Sequence, residues 1–324
     1  VSGRYEVEMV SPEKGEEALA LLLRRYPPEA RSHRKESLRH RLTTEKAIPL
    51  ELWQAVDRHP PSPKGALPRV VAAGLLEHQP GGITMGSTPV VLNHRFLNAG
   101  ILMLQKWKDV LRDRGRRVLQ ILAEDPFPWH RQMLRQARIR RLTSLLYMCW
   151  EACETSPESQ PEDLPAAGAI FWEPLVDSPT AWARLASVVE RTYISSLDCP
   201  EVSDLRNPED TLTAYRLAGT WRADLWFLLR SREQEIGCLL LADRPADNCV
   251  ELVYMGLVPE QRGQKLGRYL VEKAKGVTRE LARSRLVAAV DIRNWPAIRV
   301  YEQAGFRSVA RADVFQEILS PVGK

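Results

Sequence analysis

The chain has 324 residues, 44% of them hydrophobic and 27% charged. That profile excludes a disordered or collagen-like chain and makes two domains of ordinary size the expectation. No apolar run approaches the length of a membrane span. The opening VSGRYEVEMVSPEKGEE contains no apolar core of a secretory signal, so a cytoplasmic protein without membrane association is expected. Five cysteines with no C-x-x-C fit reduced thiols better than disulfides or zinc.

The net charge of +5 is unevenly spread, with 25 Lys and Arg against 18 Asp and Glu in residues 1–160. The basic clusters RDRGRR (Arg112 to Arg117) and RQARIRR (Arg135 to Arg141) read as solvated helix faces. They lack the interleaved aromatics that stack on bases, so nucleic acid is not the expected partner.

In chain order, the patterning predicts a strand near Tyr5–Val10, helices from Pro12 to Arg41, and strands near Leu52–Val56 and Val70–Leu76. A strand at Ile83–Leu92, a helix at Leu97–Arg114, a strand at Val118–Ala123 and a helix at Pro128–Gln136 follow. CETSPESQPEDLPAAG is acidic and rich in Pro, Ser and Ala, a boundary composition. The domains are accordingly read as 1–152 and 169–324, with 153–168 as linker. Beyond the linker come a strand at Ile170–Val176, helices at Pro179–Tyr193 and Pro208–Leu217, and strands at Leu225–Leu229 and Ile236–Leu241.

The two halves repeat faintly. Ser178-Pro179 matches Ser11-Pro12, Arg191 and Tyr193 match Arg24 and Tyr26, and Gln303-Ala304 matches Gln136-Ala137, each at an offset of 167. One offset recurring at both ends of a domain points to two copies of one unit.

Chemistry concentrates in the second half. In ELVYMGLVPEQRGQKLG (Glu251 to Gly267), the apolar run Leu252–Val258 reads as a buried strand that Pro259 ends. A glycine-containing turn then opens a helix, and its free N–H groups and positive dipole end suit phosphate. Further on, Leu286–Ile292 reads as a strand, Asn294 as an N-cap, Trp295–Ala304 as a helix and Gly305 as its stop.

These two stretches resemble the GNAT superfamily of acyl-CoA-dependent N-acetyltransferases. The first motif, R-G-x-G-x-G/A, is matched by Arg262, Gly263, Gln264, Lys265, Leu266 and Gly267, with Lys265 in place of the middle glycine. The second, N-x-x-A-x-x-x-Y-x-x-x-G-F, is matched by Asn294, Ala297, Tyr301, Gly305 and Phe306. The resemblance implies an α/β (α+β) fold of two tandem domains. Each would be a mixed, mostly antiparallel sheet with splayed central parallel strands flanked by helices. It implies acetyl-CoA as cosubstrate, without metal, and transfer of acetyl by direct attack of a primary amine on a small molecule or peptide. Coenzyme A would lie along Met255, Leu257 and Val258, on the 262–267 turn and near Asn294. Lys265 is expected to take helical dihedrals and to add charge. Tyr301 is implied as the general acid.

For the base, the second half holds no histidine; His33, His40, His59, His78, His94 and His130 all lie in the first. Glu251, a carboxylate heading an apolar strand, is the candidate, and it matches the E-V-Y-V-x-G-V-x-P strand of tandem enzymes resembling mycothiol synthase. Asp291 is the second candidate. The first copy has RFLNAG (Arg95 to Gly100) in place of RGQKLG, and Phe127, Leu134 and Arg138 at the Asn294, Tyr301 and Gly305 positions, so it is read as having lost the site. The alternative is a tandem module that binds acetyl-CoA or a partner without turnover. Neither the acceptor nor the oligomeric state follows from the sequence.

Overall fold

The computed structural model describes residues 3–44, 48–58, 68–124, 128–152, 170–201, 207–232 and 234–319. The 153–168 linker, Phe127 and most of the Pro-rich 59–68 loop lie outside them. The chain divides into two compact units, one of Val1–Leu142 with Asp313–Lys324, the other of Thr143–Ala312.

The first unit contains β1 (Tyr5–Val10), α1 (Glu16–Leu22), α2 (Pro28–Thr44), β2 (Leu50–Asp57), β3 (Arg69–His78), β4 (Ile83–Ser87), β5 (Val90–Val91), α3 (Leu97–Asp113), β6 (Val118–Ala123) and α4 (Pro128–Gln136). The expected strand Ile83–Leu92 is thus broken, because its second part pairs separately with β3. β1, β2, β3 and β4 pair antiparallel in succession, while β4 and β6 run parallel. Leu104, Trp107 and Leu111 face inward from α3, three and four residues apart as an amphipathic helix requires, and pack on the sheet with Leu119 and Ile121.

The second unit begins within β7 (Arg140–Glu151). It continues through β8 (Ile170–Pro174), α5 (Pro179–Tyr193), α6 (Pro208–Arg216), β9 (Trp226–Ser231), β10 (Gln234–Arg244), β11 (Cys249–Leu257), α7 (Leu266–Glu280), β12 (Arg285–Asp291) and α8 (Trp295–Gln303). The last strand is β13 (Arg307–Ile318). The sheet order is β7-β12-β11-β10-β9-β8, antiparallel except for β11 and β12. Leu228, Leu239 and Val250 from the sheet and Leu270, Val271 and Ala274 from α7 form the core.

Two findings differ from the sequence reading. The units do not divide at the linker. β12 takes its antiparallel partner from residues 145–151, ahead of the linker, and β6 takes its partner from residues 313–318, at the end of the chain. The RQARIRR cluster is also not a helix face throughout, since Arg140 and Arg141 open β7. Arg141 and Arg131 both reach the buried Asp313, at 3.1 and 2.8 Å.

The repeat is visible bond by bond at the same offset of 167. Lys108 Nζ donates to the Ala137 carbonyl at 2.9 Å, and Lys275 Nζ donates to that of Ala304 at 3.2 Å. Ile139 N–H donates to Leu134, and Phe306 N–H to Tyr301, both at 3.0 Å. Helix-ending residues with positive φ recur as Gly115 and Ala282, and as Arg138 and Gly305.

Candidate active site

β11 sets the site. Along β10 it stays paired as far as Leu257, opposite Gly237. Along β12 the parallel pairing stops at Leu252 opposite Ala288, although β12 runs on to Asp291. The register against β10 slips between Leu240 and Leu241, leaving Val253 as an extra residue on β11. Such a bulge bends a strand and adds twist, which carries β11 away from its parallel neighbour. A cleft of about 640 Å³ lies there, lined by residues 252–257 on one side and by Ala289 and Val290 on the other.

Beyond β11 a turn of 3-10 helix (Pro259–Gln261) leads to α7. Gly263 has φ +77°, and a Cβ built on it meets nothing within 4 Å, so the turn is open above it. Among the described residues, the backbone N–H groups of Gly263, Gln264, Leu266 and Gly267 find no protein acceptor. They form an anion-binding start to a helix. Lys265 does not take the helical dihedrals expected of it. It caps α7 in the left-handed region, φ 62° and ψ 4°, because the turn requires positive φ where the motif usually has glycine.

Gly263, Lys265, Leu266, Gly267 and Arg262 line the cleft, as do Met255, Leu257, Asn294 and Tyr301. Val258, Gln264 and Glu251 do not. Val258 is buried and its N–H continues the bonds to β10, at the Ile236 carbonyl. The Gln264 side chain turns back to the Glu260 carbonyl at 3.1 Å. Glu251 sits where β11 still pairs on both edges, opposite Val287 and Ala242, and its carboxylate accepts from Arg244 Nη1 at 2.7 Å. Glu251 therefore stands outside the cleft lining.

Arg262 is also not a free cation. Its guanidinium donates to the carbonyls of Leu257, Ser195 and Thr192 at 3.1, 3.1 and 2.9 Å, fastening the end of α5 to the turn. Asn294 caps α8, its Oδ1 accepting from Ala297 N–H at 3.4 Å. Tyr301 is 4% exposed and lies 5.3 Å from the Phe306 ring. Burial, with the charge of Asp198 nearby, pushes its phenol well above the ordinary value, so it carries its proton at neutral pH.

Asp291, the second candidate base, is fully buried. Burial alone would raise its pKa. The hydrogen bonds from the Arg293 side chain and N–H, the Thr143 hydroxyl and the Cys199 N–H outweigh burial and hold the carboxyl down at about 2. The carboxylate is committed to these partners, and Asp291 is not among the residues that line the cleft.

Four residues escaped the sequence reading. Thr192 Oγ1 and Tyr254 Oη share a hydrogen bond of 2.7 Å at the cleft wall. A side chain at Gly256 would put its Cβ 2.7 Å from Thr192, so α5 packs directly on β11 there. Asp198, in the loop after α5, lines the cleft and accepts from Asp291 N–H at 3.0 Å. Trp295 lines it from the first turn of α8. Gly256 belongs to the strand motif and was legible there; the loop SSLDCPE around Asp198 carries no motif. Among the described residues, no three His, Cys, Asp or Glu side chains gather as metal ligands would, and no helix is long and apolar enough to cross a membrane.

The first copy is filled by its own side chains. β4 and β6 pair from Ile83–Val118 to Ser87–Leu122. Arg25 Nη2 then donates to the Thr88 carbonyl at 2.8 Å, and Thr88 Oγ1 to that of Leu122 at 3.4 Å. Phe96 is buried at the start of α3, and a Cβ on Gly100 would lie 2.2 Å from the Met133 sulfur.

The profile of the acetyltransferase (GNAT) family matches residues 189–306. No curated protein matches the chain in sequence. Among solved structures, a GCN5-related N-acetyltransferase from Sphaerobacter thermophilus superposes at a TM-score of 0.67 and 14% identity, over 98% of this chain and 97% of its own. A tandem GNAT protein from the clavulanic acid biosynthesis pathway does so at 0.55 and 14%, over 98% of this chain and 100% of its own. A glucosamine N-acetyltransferase region of a fungal multi-domain β-N-acetylglucosaminidase gives 0.60 and 11%, over 97% of this chain and 38% of that one. At such identities the likeness is one of fold. Together with the splayed strands and the open turn, the profile match identifies residues 189–306 as a domain of the acetyltransferase (GNAT) family, in a chain with the GNAT fold.

Proposed function

We propose that the protein is an N-acetyltransferase that takes acetyl from acetyl-CoA and passes it to a primary amine by direct attack in a ternary complex. One observation carries the reading: β11 loses its parallel partner at Leu252 while its other edge stays paired to Leu257. A strand edge left without a partner strand suits an extended, amide-containing ligand. The pantetheine arm of coenzyme A is such a ligand. The gap leads to the free N–H groups of the 263–267 turn, which suit the pyrophosphate. Lys265 adds charge there, while Arg262 holds the turn in shape.

When bound, acetyl-CoA supplies the activated acetyl group as a thioester. Tyr301, kept protonated by burial, donates to the departing thiolate. Glu251, tied to Arg244 outside the cleft, acts on the amine proton through water. The test is paired: calorimetry with coenzyme A, and release of free thiol from acetyl-CoA with a mixed panel of amines. Binding together with amine-dependent thiol release is the expected result. Tight binding without transfer to any amine would make the protein a binding module.

A further inference from the structure

Large apolar side chains stand exposed on the two segments that follow α5 and β12. Ile194 and Leu197 follow α5, with 56% and 42% of their surface exposed; Ile292 and Trp295 follow β12, with 37% and 61%. Leu197 and Trp295 line the cleft itself. The two segments are fastened together. Asp198 accepts from Asp291 N–H at 3.0 Å, Cys199 N–H donates back to Asp291 Oδ2 at 3.1 Å, and Arg293 bridges Asp291 to Glu201. The exposed residues therefore sit on a braced rim. An apolar patch held rigid at the mouth of a site is a surface that a ligand covers.

Charge narrows the choice of ligand. Arg262, Lys265 and Arg299 line the cleft as cations, and the phosphates of coenzyme A account for positive charge there. Asp198 is the one carboxylate among the described residues that line it. A primary amine arrives at neutral pH as an ammonium ion, which a carboxylate attracts and a polyphosphate ligand does not need. Resting on the acetyltransferase reading, we propose that the acceptor is a primary amine carried on an apolar or aromatic body, with Asp198 receiving the ammonium and Leu197 and Trp295 contacting the body. The stoichiometry closes. The ammonium first releases one proton to solvent, the amine nitrogen bonds to the acetyl carbon as the carbon–sulfur bond breaks, and its second proton leaves through water. The thiolate takes up one proton, so amide, free thiol and one net proton result. Polyamines and amino sugars would bring charge or hydroxyls against the apolar side chains of Leu197 and Trp295.

The experiment uses the full chain with saturating acetyl-CoA and three amines: 2-phenylethylamine, glucosamine and spermidine. The expected kcat/KM for 2-phenylethylamine is at least about tenfold above the other two, matching the effect of fitting a few methylene groups to an apolar pocket. Asp198→Asn keeps an oxygen to accept from Asp291 N–H, so the brace survives while the charge is lost. It should raise the KM for 2-phenylethylamine about tenfold and leave that for acetyl-CoA unchanged. Trp295→Ala, at an exposed position, should lower the preference for 2-phenylethylamine. Calorimetry should find 2-phenylethylamine binding to the coenzyme A-loaded chain and weakened by both variants. A preference for glucosamine or spermidine, or an unchanged amine KM in Asp198→Asn, overturns the proposal and leaves the acetyltransferase reading intact. Transfer to none of the amines, with no amine binding, overturns the proposal; if the mixed amine panel also fails while coenzyme A binds, the acetyltransferase reading falls as well.

Discussion

Lys265 holds a costly backbone conformation at the site. An L-residue in the left-handed region pays roughly 1–2 kcal/mol relative to the right-handed one, and glycine does not. Lys265→Gly should therefore raise stability by roughly 0.5–1 kcal/mol in a urea titration, after the extra freedom glycine has in the unfolded chain is deducted. The same change removes a cation at the phosphate end, so coenzyme A should bind more weakly by roughly 0.5–2 kcal/mol. Tighter binding would show that the lysine obstructs the turn. The departure from glycine was legible in RGQKLG; the dihedral was not, because spacing carries no φ. For Tyr301, a phenol held protonated is a donor, and Tyr301→Phe should lower kcat by about 10²–10⁴-fold with coenzyme A affinity nearly unchanged. An unchanged kcat would leave thiolate protonation to water. Glu251→Gln should lower kcat/KM for the amine by about 10²–10⁴-fold with coenzyme A affinity nearly unchanged. If kcat/KM is unchanged, Glu251 is only the ionic partner of Arg244.

At the scale of elements, the end of β12 is fastened to β7 and to the loop after α5 through one buried carboxylate. Asp291 joins Thr143, 148 residues away in sequence, and Cys199, 92 residues away. Those separations explain why the sequence reading saw only a carboxylate at a strand end and named it the second candidate base: the residue type was legible and its partners were not. The folded-state pKa of about 2 lies below the ordinary carboxylate value near 4. The contribution of Asp291 to stability is thus fully present above pH 4 and is lost as pH falls towards 2. Asp291→Asn leaves Arg293 without its buried partner and should cost about 3 kcal/mol at pH 7. In urea titrations across the acid range, the gap between parent and variant should narrow between pH 4 and pH 2. A gap of equal size at pH 7 and pH 2 would remove the carboxylate charge as the cause.

Across the whole molecule, one design occurs twice, with the open turn and cleft described in the second copy. The offset of 167 was legible from the Ser-Pro, Arg and Tyr, and Gln-Ala matches that recur at both ends of the unit. The origin of the strands beside β12 and β6 was not, since alternating apolar residues announce a strand without naming its neighbour. RFLNAG raised the expectation that the first copy has lost its site, and the structure places side chains at the corresponding positions. Arg25 and Thr88 occupy the backbone gap, Phe96 is buried at the helix start, and Met133 presses on Gly100. Opening that gap would release the half-buried Arg25 guanidinium and leave the Thr88 carbonyl without its donor, a cost of about 1–3 kcal/mol for each polar group stranded. Calorimetry should therefore find one coenzyme A per chain. Gly263→Glu should abolish that site, because it places a carboxylate where the turn presents its N–H groups and forces a side chain onto a residue at φ +77°. Thermal unfolding of the variant in parallel separates a lost site from a lost fold. Two equivalent sites in the parent, or one site that survives in Gly263→Glu with the fold intact, would assign coenzyme A to the first copy after all.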